Sequence, residues 1–561
     1  MIREVDVQEF AAAQRRGALV VDVREPSEYA DGHVPGAQLV PLGSLAARVD
    51  ELPRDDRVYV ICASGNRSRT AAATLAAAGR DAISVSGGTR AWVASGGPVV
   101  RGQHDVVEIV AIDTPSLGDR SYLVHDGAVA FVVDPQRDID RILASLEDRG
   151  VRLTDVFETH IHNDYVTGGL ALANATGARY HLNAADQVSF DHHPIAPEQV
   201  VAVGDSIRVR ALATPGHTFT HLAYVLQAPG QAPAVFTGGS LLFGSTGRPD
   251  LLGPANTGEL VHAQYASAQR LAAELPDETR VYPTHGFGSF CAATQSAAES
   301  STIGGEKRAN PVLTRAEQDY VEELLAGLDG YPAYYAHMGA LNAAGPEAPD
   351  LAAPRRAQAA ELARRIQAGE WVVDLRHRTA FAAGHVGGTL NFGLDGNFAT
   401  YLGWLIPWGT PLTLLGETVD DVAGAQHELV RIGIDRLQAI ATGPPADWTD
   451  GELQSYPTAS FADLAQVRHH RRVVVLDVRR NNEWAQGHLL GAVHVPLHEL
   501  LNRLSDVPPG EVWVHCQSGY RAAIAASLLA AAGHRVVAIN DDYHTAATAG
   551  LDIATPHAET R

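Results

Sequence analysis

Three stretches of the chain repeat one alternation of apolar and polar positions. Each opens with an apolar run closed by an aspartate: Val20-Val21-Asp22-Val23-Arg24, Val372-Val373-Asp374-Leu375-Arg376 and Val475-Leu476-Asp477-Val478-Arg479. Eleven residues after each aspartate stands a histidine, in Gly32-His33-Val34, Gly384-His385-Val386 and Gly487-His488-Leu489. Short, unbroken apolar runs read as buried parallel strands. Further apolar runs follow at 38–42 and 492–497, so strand, loop and helix alternate and each copy is predicted to be an open α/β fold. The three aspartates read as structural, binding the loops that follow them.

In the first copy the strand Val58 to Ile61 runs into Cys62-Ala63-Ser64-Gly65-Asn66-Arg67 and an alanine-rich helix. In the third, Val512 to His515 runs into Cys516-Gln517-Ser518-Gly519-Tyr520-Arg521 and a similar helix. A short loop between a strand end and a helix start turns its backbone N–H groups inward as an anion nest, and the helix adds its positive end. Both effects favour a thiolate or persulfide anion. Glycine allows the tight turn, and the arginine closes the loop with a cationic fork. The middle copy departs: Pro411 to Leu415 leads into Gly416-Glu417-Thr418, with neither cysteine nor arginine.

These loops, with the Asp…Gly-His template, resemble the rhodanese sulfurtransferases. The resemblance implies that Cys62 and Cys516 accept sulfane sulfur and pass it to a thiol, with Arg67 and Arg521 as catalytic partners. It makes Ala63, Ser64, Gly65, Asn66, Gln517, Ser518, Gly519 and Tyr520 the substrate-binding loop residues. Related phosphatases use a loop one residue longer, so four intervening residues favour sulfur over phosphate. The middle copy reads as a pseudo-rhodanese with a structural role.

Between the first and second copies the pattern changes. Apolar strands such as 129–133 and 155–158 separate Thr159-His160-Ile161-His162-Asn163-Asp164-Tyr165, Thr214-Pro215-Gly216-His217, Phe236-Thr237-Gly238-Gly239 and Tyr282-Pro283-Thr284-His285. Imidazoles presented at strand ends are a way to assemble a metal site. The order resembles the metallo-β-lactamase superfamily and, with Gly247-Arg248-Pro249-Asp250 and Ser301-Thr302-Ile303-Gly304, its persulfide dioxygenases. Those enzymes use one non-haem iron, so the resemblance implies Fe(II), with zinc the lesser choice, and Arg248 as a substrate-binding residue. Their ligands would fall on His160, His217 and an aspartate whose place here is Gly239. Tyr165 likewise replaces the last histidine of His-x-His-x-Asp-His, which argues against a two-zinc hydrolase. Three outcomes stay open: His162 completes a site with His160 and His217, Asp164 or Tyr165 swings in, or the domain is metal-free. His285 is expected behind the ligands, and Cys291 as a packed thiol.

The predicted architecture is a multidomain α/β chain: a metallo-β-lactamase αββα sandwich with three rhodanese-like doubly wound α/β domains. The expected limits are 1–100, 105–345, 355–448 (the copy without cysteine) and 456–556, with linkers near 95–101, 345–354 and 449–458. The preferred activity is oxidation of a low-molecular-weight persulfide such as glutathione persulfide, coupled to sulfur transfer among thiosulfate, sulfite and thiols, as in sulfide detoxification. The alternative is a thiosulfate:thiol sulfurtransferase or sulfur carrier built on an inactive central scaffold.

Composition narrows the partners. The formal net charge is −22 over 561 residues, which leaves no footprint for nucleic acid or an anionic membrane. Three cysteines, Cys62, Cys291 and Cys516, cannot form a disulfide framework, which points to a reducing, cytoplasmic setting. The apolar stretch at 401–415 is broken by Gly403, Pro407, Gly409 and Pro411 and is too short for a membrane span. Relatives of the central domain self-associate, so a homo-oligomer is expected.

Overall fold

The Asp-x-Arg step of each copy is a self-contained clamp. In the first copy, Arg24 Nη2 donates to Asp22 Oδ2 at 2.7 Å and to the Gly32 carbonyl at 2.9 Å. Arg376 does the same to Asp374 and Gly384 at 2.6 and 2.8 Å, and Arg479 to Asp477 and Gly487 at 2.7 and 2.8 Å. All three aspartates are fully buried. A buried carboxylate survives only when its partner and hydrogen bonds replace water, and here one guanidinium supplies both. The histidine that follows stacks on the aromatic residue four positions earlier, with centroids 3.6 Å apart for Tyr29–His33, 4.1 Å for Phe381–His385 and 3.5 Å for Trp484–His488. These local devices fix the same turn three times.

The computed structural model describes residues 2–554 except 15, 17, 26–27, 30–31, 47, 50–51, 54–56, 96–106 and 230. The chain forms two compact units, Met1–Val107 and Glu108–Arg561. Beyond Ser95, the linker expected at 95–101 lies outside the described residues.

The first unit is a parallel five-stranded sheet in the order Arg3–Val5, Ala82–Val85, Val58–Ile61, Leu19–Asp22, Ala37–Leu39. The third copy repeats that order with Thr458–Ala459, Arg535–Ile539, Glu511–His515, Val474–Asp477 and Val493–His494. The middle copy keeps four strands, Leu437–Thr442, Leu412–Gly416, Trp371–Asp374 and Leu390–Asn391. Its missing edge strand survives as one parallel bridge, Arg356 to Ile440.

The central segment is a sandwich of two six-stranded sheets, 108–195 and 200–302 in sequence. Their inner faces meet through aromatic rings: Tyr122 on Phe236 at 5.3 Å, Phe131 on Phe236 at 6.0 Å and Phe157 on Tyr224 at 5.0 Å. Helices Asp140–Arg149 and Gly169–Thr176 share a core with the first sheet, and Pro254–Glu274 with the second.

Within the second unit one hydrophobic core runs from the sandwich (Tyr165, Cys291, Met338) through the middle copy (Phe381, Leu402, Leu414) into the third (Leu476, Val514, Ile524). Polar ties cross the same seams. Arg431 donates to Asp138 at 2.7 Å, the Val166 amide to the Arg431 carbonyl at 2.7 Å, and the Asn391 amide to Ser527 Oγ at 3.0 Å. The segments expected as linkers near 345–354 and 449–458 are largely irregular. Among the described residues no helix is long and apolar enough to cross a membrane.

Candidate functional site

In both cysteine loops the backbone turns as the sequence requires. Gly65 and Gly519 sit at φ +99° and +93°, in the left-handed region, immediately before helices Asn66–Ala77 and Tyr520–Ala531. Their amides point at the sulfur: Gly65 N donates to Cys62 Sγ at 3.1 Å and Gly519 N to Cys516 Sγ at 3.2 Å. Burial raises the Cys62 thiol pKa, but the Ser68 hydroxyl and the amides of Ser68, Ser64 and Gly65 outweigh it, so the thiol is held below its ordinary value.

The loop arginines are already engaged. Arg67 forks onto Glu28 at 2.6 and 2.5 Å, and Arg521 onto Glu483 at 2.5 and 2.7 Å. The Arg67 pairing holds Glu28 at about 2. Burial pushes Glu483 up, yet Arg521 brings it to about 2 as well. Neither glutamate was singled out from sequence, although both stand six residues after the clamp aspartate. The middle copy has Ala380 there, so it lacks the glutamate together with the arginine. The remaining loop residues divide: Ser64, Asn66, Gln517 and Ser518 are exposed and Ala63 half-buried, while Tyr520 donates its hydroxyl to the Gly393 carbonyl of the middle copy at 2.8 Å.

The histidines of the sandwich converge at the carboxyl ends of its strands. His160 and His162 follow strand Arg152–Phe157, His217 follows Ile207–Ala213, and His285 follows Arg280–Pro283. All four are buried. Their outer nitrogens are fixed: His160 Nδ1 lies 2.9 Å from Thr159 Oγ1, His162 Nε2 3.0 Å from Glu158 Oε2, His217 Nδ1 2.9 Å from the Arg248 carbonyl, and His285 Nδ1 2.9 Å from Asp119 Oδ1. Their inner nitrogens, His160 Nε2, His162 Nδ1, His217 Nε2 and His285 Nε2, find no hydrogen-bond partner among the described residues.

Ligand atoms of His160, His162 and His285 lie within 4.8 Å of one another, as do those of His217, His285 and Cys291. The geometry differs from the expected set in three respects. His285, expected behind the ligands, presents a bare nitrogen, while Asp164 stands behind it, with Oδ2 3.1 Å from His285 Nδ1. Tyr165 does not swing in; its hydroxyl faces His162 Nε2 at 3.0 Å. Cys291, expected as a packed thiol, borders the cluster, where burial and the nearby Asp164 and Asp119 push its pKa well above the ordinary value.

Asp134 holds the cluster's outer face. It accepts from the Thr159 amide and hydroxyl at 2.7 and 2.8 Å and from Thr284, and lies 3.3 Å from His162 Nε2. Burial lowers His162, but Asp134 and Glu158 raise it to about 9, and Glu158 itself is pushed up by burial to about 7. Burial drives His160 well below its ordinary value and His217 to about 3, so both are neutral donors at neutral pH. Asp134 and Glu158 were missed because nothing local marks them; each is the residue just after a buried strand, and strand ends were the available signal.

Gly239 explains how the aspartate is lost. A methyl at Gly239 or at Gly247 would overlap the His217 ring, so the ring fills space that a side chain would need. The amide of Gly239 instead bonds His221 Nε2 at 3.0 Å. Arg248, expected to bind substrate, is consumed by the structure. It forks onto Asp250 at 2.6 and 2.7 Å, donates to the Asp329 carbonyl at 2.7 Å and lies over the Tyr331 ring.

Comparison with known proteins places these sites in families. Residues 6–95 and 460–545 match the rhodanese-like domain, and residues 119–285 the metallo-beta-lactamase superfamily. A hydroxyacylglutathione hydrolase of Polaromonas sp. is 32% identical over 160 residues, 28% of this chain and 57% of that protein. The chain thus spans little more than half of that relative. One from Pseudomonas entomophila is 33% identical over 218 residues, 33% of this chain and 77% of that protein. A metallo-beta-lactamase structure from Staphylococcus aureus superposes with a TM-score of 0.54 at 26% identity, covering 60% of this chain and 99% of its own. The chain therefore belongs to the rhodanese and metallo-β-lactamase families, with rhodanese-like domains at both ends and a metallo-β-lactamase domain between them.

Proposed function

We propose that the protein oxidises a low-molecular-weight persulfide in its histidine centre and moves sulfane sulfur through Cys62 and Cys516. The observation that carries the reading is the set of four buried imidazole nitrogens left without partners. Each such atom costs about 1–3 kcal/mol if nothing binds it. A metal-free scaffold would bear that cost four times, whereas a metal ion satisfies all the atoms it binds. His160 and His217 would hold the ion, with His162 and His285 completing the set after losing a proton. Three or four neutral imidazoles suit iron or zinc, and iron would supply the chemistry that activates O₂.

In the proposed reaction one persulfide, one O₂ and one water yield sulfite, the free thiol and protons. The protein contributes a dry, buried cluster, and Asp119, Asp164, Glu158 and Asp134 aim the imidazoles from behind. Glutathione as the carrier thiol is supported by the names of the hydrolase relatives. In the rhodanese loops the nest amides stabilise the sulfur anion. Arg67 and Arg521 are held ready beside it, one carboxylate each away from a substrate anion.

The alternative is a sulfurtransferase on an inactive scaffold, and the overlap of any Gly239 side chain with His217 favours it. Elemental analysis of tag-free protein with oxygen uptake on glutathione persulfide separates the two. About one iron per chain with persulfide-dependent uptake is expected; neither iron nor uptake would leave only the sulfurtransferase.

A further inference from the structure

The two cysteine mouths carry opposite charge. Three residues after the clamp aspartate the first copy has Glu25 and the third has Arg480; six residues after it stand Glu28 and Glu483. The Glu25 amide bonds Glu28 at 3.1 Å, and the Glu25 carboxylate acts on Arg67. Arg480 Nε lies 3.4 Å from Glu483 Oε2. At Cys62, therefore, two carboxylates face one guanidinium. At Cys516, two guanidinia share one carboxylate.

The degenerate copy adds walls to the Cys516 mouth. Its helix Phe398–Leu405 delivers Tyr401 and Trp404, stacked at 6.3 Å, and Trp404 stacks on His498 at 4.7 Å. With Arg480 and Arg521 these rings line a pocket of about 230 Å³. Arg378, also of the degenerate copy, donates to Asn540 at 2.7 Å beside the Cys516 loop. Arg521 is 11% exposed where Arg67 is 34%. Sites for larger organic ligands run from roughly 300 Å³ upward, while a water takes roughly 30 Å³. The pocket thus suits an anion of a few atoms and is too small for a tripeptide.

We infer that Tyr401, Trp404 and Arg480 make Cys516 selective for small sulfur oxyanions of the sulfite and thiosulfate class, leaving glutathione-sized persulfides to Cys62. The inference rests on the sulfur-transfer reading above. In the step assigned to Cys516, the sulfite lone pair attacks the sulfane sulfur of the cysteine persulfide. The S–S bond to Sγ breaks with its electron pair, giving thiosulfate and the Cys516 thiolate. Loading from thiosulfate is the same step reversed.

The test uses the full chain as Cys62→Ser, in which Cys516 alone works, and as Cys516→Ser, in which Cys62 alone works. Sulfur loading is followed with thiosulfate and with glutathione persulfide. The thiosulfate preference, as a ratio of kcat/KM values, is expected to be about tenfold or more greater in Cys62→Ser. In that background Arg480→Glu should raise KM for thiosulfate about tenfold with kcat nearly unchanged, and Trp404→Ala should improve use of glutathione persulfide. Equal preferences at the two cysteines, with both loading sulfur, overturn this inference alone. No loading at either cysteine with either donor overturns the sulfur-transfer reading and the inference with it.

Discussion

The ring of Phe290 stands nearly perpendicular to that of Trp404, at 79° and 5.0 Å between centroids. Phe290 precedes Cys291 at the histidine cluster, and Trp404 belongs to the pocket beside Cys516. One aromatic contact therefore forms a wall common to both candidate sites. Arg480 caps the same ring at 5.3 Å.

Phe290→Ala removes this contact. Phe290 is only partly buried, so the expected cost is about 2 kcal/mol, below the 3–5 kcal/mol of a fully buried phenylalanine. Chemical denaturation of the Glu108–Arg561 unit within the full chain checks it. Sulfur transfer in the Cys62→Ser background should also change, while transfer in Cys516→Ser should not.

Restoring the family's aspartate should fail. Gly239→Asp drives a side chain into the His217 ring, and overpacking of this kind costs about 1–3 kcal/mol or more. The variant is expected to unfold at a lower temperature and to retain less metal than the parent. A rise in bound metal to full occupancy would show instead that the ring yields.

Removing His285 should lower metal content. His285→Ala takes away a bare nitrogen that shares its group with His160 and His162. Elemental analysis is expected to show a clear loss of bound metal, comparable with that of His160→Ala. Unchanged metal would return His285 to the supporting place that sequence suggested.

Acid should loosen the third copy through Glu483. Its pKa in the fold is about 2 against an ordinary 4.5, so the stabilisation is present above pH 4.5 and is lost as the pH falls toward 2. At 1.4 kcal/mol per unit this is roughly 3 kcal/mol for a side chain only 17% exposed. Glu28 is also held at about 2, but at 35% exposure solvent screens most of the effect. Glu483→Gln is expected to flatten the pH dependence of stability between 4.5 and 2, and Glu28→Gln to change it little.

Much of this arrangement is written in short sequence spans. The clamp from Asp22 to Arg24 and the turn from Gly65 to Arg67 close within a few residues, so spacing alone exposes them. The histidines were legible for the same reason: each follows a strand. What could not be read is contact across distance. Asp134 lies 28 residues from His162, Asp119 lies 166 from His285, and Tyr401 lies over 100 from Arg521. Such partners are set by how sheets stack and copies dock, which leaves no periodicity behind. Arg248 misled because a motif names a residue without showing that neighbouring carboxylate and carbonyl groups already occupy its donors.

The continuous core through the degenerate copy has a consequence for how this half of the protein comes apart. Phe381, Leu402 and Leu414 face neighbours on both flanks, so the copy that lost its cysteine acts as a keystone. Excising it would strip apolar cover from the sandwich and from the third copy at once. The stretch from Glu108 onward should melt in one cooperative step, and inheritance of its parts by recombination should be all or nothing.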